Sequence, residues 1–107
     1  MSDPELIAVT ARELVGGWRY SSWDITYDDG RPTTYPFGPD ATGLIQYTHD
    51  GRMAACIARA DRPPLSSASV RSAPEHERLA AFESFFQYAG RYEVRQHDGV
   101  AQVGHHV

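Results

Sequence analysis

The chain has 107 residues, the length of one domain, of which 41% are hydrophobic and 22% charged, a globular composition with room for a single core. A net charge of −4 and the absence of any dense Lys/Arg cluster leave no electrostatic footprint for a nucleic acid or an anionic membrane surface. The lone Cys56 excludes an intramolecular disulfide, the N-terminus is acidic rather than signal-like, and no apolar run reaches the roughly 18 residues of a membrane span, so one cytoplasmic domain over residues 1–107 is expected.

Ser2-Asp3-Pro4-Glu5 reads as a helix start, with Ser2 or Asp3 as the cap and Pro4 in the first turn. Leu6, Ile7 and Leu14 share a face, and Gly16-Gly17 stops the helix. Trp18 to Tyr27 is rich in aromatic and β-branched residues and is expected as the first strand. Trp18, Tyr20 and Asp24 would share one side of that strand and Trp23, Ile25 and Tyr27 the other. Asp28-Asp29-Gly30 then turns the chain, and a proline-rich loop carries Tyr35 and Phe37.

Gly43–Thr48 and Arg52–Ala58 are expected as strands flanking a His49-Asp50-Gly51 turn. A polar stretch, Arg59 to Ser72, includes Pro63-Pro64 and reads as a loop. Ser72-Ala73-Pro74-Glu75 matches a capping box. Leu79, Phe82, Phe86 and Ala89 follow helical spacing to Gly90, so a helix is expected near residues 74–89. Arg91–Gln96, the turn His97-Asp98-Gly99 and Val100–Val107 complete the chain as a hairpin. The fold class is mostly β, an antiparallel up-and-down meander of about five strands with a short N-terminal helix and one helical excursion near residues 74–89.

Gly16-Gly17-Trp18, opening a strand after a short helix, matches the G-x-W signature of lipocalin-type barrels. The strings YPFGPDATG and YAGRYEV are more specific, and with them nearly the whole chain resembles the bacterial lipocalin-like domain family. The resemblance implies an antiparallel barrel of about eight strands around a ligand-sized interior, flanked by the 74–89 helix. It implies fold more than activity. Family members continue for roughly three more strands, so the sheet here is expected to be a shortened one whose open edges a second copy covers, one completed by strands of another chain, or a smaller, partly open barrel, the first being favoured. Trp18 is then expected as a structural plug without the basic cover that a last strand brings.

The aromatic load points to a small hydrophobic molecule as partner, held by Trp23, Tyr20, Tyr35, Phe37, Tyr47, Phe82, Phe86 and Tyr92. Trp23 can equally be core. The alternative is a cofactor-independent isomerase, cyclase or hydrolase in the same cavity. Its acid–base groups would be the inward member of the His105–His106 pair with Asp24 and Tyr20. Adjacent histidines on a strand point to opposite faces and cannot chelate one metal together, and no spacing suits a metal site. No glycine-rich phosphate loop or nucleophile elbow is present, so no cofactor is expected. Cys56 reads as a small buried hydrophobe. Arg52, Arg59, Arg62, Arg91 and Arg95 read as a solvated face or as a clamp for an acidic ligand.

Overall fold

The computed structural model describes residues 3–107; Ser2, the alternative first cap, lies outside them. Helix α1, Pro4–Leu14, starts where the sequence requires. The Asp3 carboxylate accepts from the backbone N–H groups of Glu5 and Leu6 at 3.1 and 3.2 Å, Pro4 occupies the first turn, and Glu5 and Arg12 complement the dipole at the two ends. Val15, extended at ψ 126°, ends it just before the two glycines.

Five strands follow: β1 (Gly16–Arg19), β2 (Thr42–Tyr47), β3 (Arg52–Ala58), β4 (Phe85–His97) and β5 (Val100–His106). They form one antiparallel, unclosed sheet in the order β1-β2-β3-β4-β5, so the chain is mostly β with neighbours in sequence paired in space. Asp50-Gly51 joins β2 to β3, with the Gly51 N–H donating to the Thr48 carbonyl. Asp98 (φ 51°) and Gly99 (φ 77°) join β4 to β5. Two positive φ values are what a two-residue hairpin turn demands, and Asp-Gly supplies them cheaply.

Two expected boundaries move. The first strand stops at Arg19 instead of reaching Tyr27; beyond it only a single bridge pairs Ile25 with Thr34 across the Asp29-Gly30 turn. A strand lasts as long as its partner, and the segment facing it contains Pro36 and Pro39, which have no N–H to donate. The last backbone bond on that line runs from Tyr20 N–H to the Gly43 carbonyl.

Likewise, the helix expected near 74–89 ends early. Helix α2 covers Glu75–Glu83, and Phe85–Ala89 belong to β4. Ser84 ends α2 by turning its hydroxyl onto the Ala80 carbonyl at 2.7 Å. Gly90 therefore stops no helix. It is a strand residue beside β5, where a Cβ would collide with the His106 carbonyl oxygen. The Ser72–Glu75 capping box does not form either: Pro74 is the cap residue, and the Ser72 hydroxyl donates to the Ser69 carbonyl.

The chain divides into two compact units. The first joins residues 1–18, 44–55 and 88–107; the second joins 19–43 and 56–87. In the first, Tyr47, Met53 and Ala55 are buried, with Leu14, Ile45, Tyr88, Tyr92 and Val103 packed on them, and α1 lies against β5. In the second, Ile57 is the most enclosed side chain, and Ala41 and Ala73 are also buried. Along β3 burial alternates strictly, with Met53, Ala55 and Ile57 in, the period of two that a half-covered sheet imposes.

Candidate functional site

The β4–β5 register sets the geometry of the first unit. Tyr92 pairs with His105, Val94 with Val103 and Gln96 with Ala101 on the half-buried face; Arg91 with His106 and Arg95 with Gln102 lie on the other. Of the two adjacent histidines, His105 is therefore the inward one.

Its imidazole sits among tyrosines. Tyr47 Oη lies 2.7 Å from His105 Nε2, and Tyr88 Oη lies 3.2 Å from Nδ1. The rings of Tyr47 and Tyr92 meet edge-on at 4.9 Å, and Tyr92 donates its hydroxyl proton to the Thr48 carbonyl at 2.6 Å. Burial pushes the His105 imidazole below its ordinary value, and the charge of neighbouring His106 pushes it the same way. A neutral imidazole has one N–H donor and one bare nitrogen. With a hydroxyl on each side, one tyrosine donates to the ring and the other accepts from it. On the opposite face His106 Nε2 lies 3.0 Å from the Glu93 carboxylate.

Of the aromatic residues expected to line a cavity, Tyr47 and Tyr92 join this cluster. Tyr88, inside the helix expected near 74–89, completes it from β4; the period-two series Tyr88, Gly90, Tyr92 is the sequence signal for that strand. Trp23 and Phe37 belong to the second unit, where their rings meet edge-on at 5.4 Å. Tyr20 is half-buried there and Tyr35 is exposed. Phe82 is 81% and Phe86 51% exposed. Asp24 is exposed, its carboxylate 3.5 Å from the Thr26 hydroxyl, and the hydroxyls bonded to His105 are those of Tyr47 and Tyr88.

The two tryptophans do not share a strand, so their sidedness does not follow from counting residues between them. Trp18, on β1, is 47% exposed and donates its indole N–H to the Leu14 carbonyl at 2.7 Å, tying the strand to the end of α1. Cys56 is half-buried in β3. Among the described residues no group of three His, Cys, Asp or Glu side chains gathers as a metal site would, and no helix is long and apolar enough to cross a membrane.

The second unit holds a cleft of about 410 Å³ between α2 and the loop before it. Arg62 lies at its edge, donating Nε–H to the Ser84 hydroxyl at 2.9 Å and Nη2–H to the Ala81 carbonyl at 3.2 Å.

Residues 15–107 match a family model described as a lipocalin-like domain; α1 precedes the matched stretch. No curated protein and no solved structure matches the chain.

Proposed function

Given that the chain belongs to the lipocalin-like domain family, we propose that it binds a small, largely apolar molecule on the inward face of its sheet. The observation that carries this reading is the Tyr47–His105–Tyr88 cluster. It is a polar hook on a face whose other packed side chains are mainly apolar and aromatic, with Gln96 near the turn end. Such a face contributes dispersion and hydrophobic contact without direction, and a single hydrogen-bonding group orients the guest. The neutral state of His105 favours an uncharged ligand bearing a carbonyl or hydroxyl, which exchanges hydrogen bonds with the tyrosines.

Titration with the neutral fluorophore N-phenyl-1-naphthylamine tests it. The probe's emission should rise on binding and be displaced by decanol. Tyr88→Phe should weaken binding by about tenfold, the loss of one buried hydrogen bond. No emission change, and no tryptophan quenching by either compound, would overturn the reading.

The same chain of two hydroxyls bridged by an imidazole also favours a second reading, cofactor-independent acid–base catalysis on a bound hydrophobic metabolite. The imidazole can take a proton at one nitrogen as it releases one at the other. Deuterium exchange into carbon acids α to the carbonyl of bound ketones, lost in His105→Gln while binding persists, is the expected result. Exchange unaffected by that variant rules out the relay.

A further inference from the structure

We infer that the cleft between α2 and the Arg62–Ser66 loop is a binding site for a small monocarboxylate with an apolar body, a short acyl or aryl acid, separate from the sheet face. Its volume, about 410 Å³, is that of a small-molecule site. Pro63, Pro64 and Leu65 form one wall and Ala80 and Ala81 of α2 the other.

Both walls are tied in place. Near one edge Arg62 bonds Ser84 and the Ala81 carbonyl. Elsewhere Ser66 donates its N–H (2.7 Å) and its hydroxyl (2.6 Å) to the two oxygens of Glu77 on α2. The two prolines add stiffness. A cleft already in its bound shape spares the ligand the cost of ordering it.

The charge at the edge selects the ligand. The two hydrogen bonds and the ring of Phe85, 5.2 Å from the guanidinium carbon, fix Arg62 in one orientation. Two of its five N–H groups are used, and the remaining three have no protein partner among the described residues. Among the described residues no carboxylate pairs with it there. A fixed, planar, permanently charged fork beside apolar walls is the arrangement that reads a carboxylate. The one carboxylate in the cleft, Glu77, is taken up by Ser66 at both oxygens; those bonds, the hydroxyl first and the backbone N–H second, hold it below the usual carboxylate range.

The test is a two-dimensional amide NMR titration of the full chain with octanoate and 3-phenylpropanoate, each against its neutral amide. The acids should bind at roughly millimolar affinity or tighter, moving the resonances of Leu65, Ser66, Ala80, Ala81 and Ser84. The amides should bind about tenfold more weakly. Arg62→Gln should lose most of that difference, and Ala80→Phe, which fills the cleft from an exposed position and leaves Arg62 intact, should abolish the shifts. Absence of shifts at these residues, equal affinity for acid and amide, or shifts confined to Tyr47, Tyr88 and His105 would overturn the assignment. The last result would leave the sheet-face site standing.

Discussion

The two faces of the β4–β5 hairpin carry the same residue type to opposite ends. On the inward face His105 is half-buried and flanked by two tyrosine hydroxyls, and desolvation pushes its imidazole below the ordinary value. One residue further along, His106 is exposed and faces the Glu93 carboxylate, itself 3.4 Å from Arg95. Solvent on one side makes the ion pair cheap to form and cheap to lose. Its exclusion on the other makes each hydrogen bond costly to break. Chemical identity therefore says little about what a histidine does here, and strand parity says nearly everything.

The sharpest way to break this contrast is at Gly90, where β5 backbone occupies the space that a Cβ would need. Gly90→Ala places a Cβ against the His106 backbone and should cost about 3–5 kcal/mol or prevent folding, read by chemical denaturation. Tyr47→Phe removes a buried partner of His105 Nε2 and should cost about 1–2 kcal/mol, measured as a midpoint shift at constant m-value.

Acidification should act on the inward face through His105. Because the folded-state value of His105 lies below its ordinary 6.5, the unfolded chain binds that proton first. The associated stability is full above pH 6.5 and is lost as the pH falls toward the lowered folded-state value. His105→Gln should flatten that part of the stability–pH curve. Smallest of all, Glu93→Gln on the outer face should change stability by no more than about 0.5 kcal/mol, and added salt should erase the difference. A larger cost there than for Tyr47→Phe would invert the comparison.

Legibility in the sequence followed how local each cause was. Asp3, Pro4 and the Asp-Gly turns act over two to four residues, and α1, the β2–β3 turn and the β4–β5 hairpin lie where those residues placed them. The opposite parity of His105 and His106 also followed from counting along one strand. The end of α2 did not, because Phe82, Phe85, Phe86 and Tyr88 suit a helical stripe and a strand equally well. Pairing of β4 within the sheet decides between them, and pairing is not a local property. The first strand was over-extended for the mirror reason: its aromatic composition favours β, but the prolines that deny it a partner lie more than ten residues away. Tyr88 was lost to the site through the first of these errors, and Arg62 through neither. Its distinction is the fixed guanidinium, which depends on Ser84 and Ala81 on a separate element.

The Asp98-Gly99 turn has a further consequence. Side chains alternate along a strand, so a slip of one position moves every residue to the opposite face. With two histidines in succession, a slip that draws β5 one position toward the turn would not empty the tyrosine cluster but exchange its occupant, putting His106 opposite Tyr92 and His105 opposite Glu93. The turn thus works as a selector with two settings, and its two left-handed residues decide which imidazole is kept from water. One residue removed from the turn would bring His106 opposite Tyr92 and replace Val103 and Ala101 on the inward face with Gly104 and Gln102.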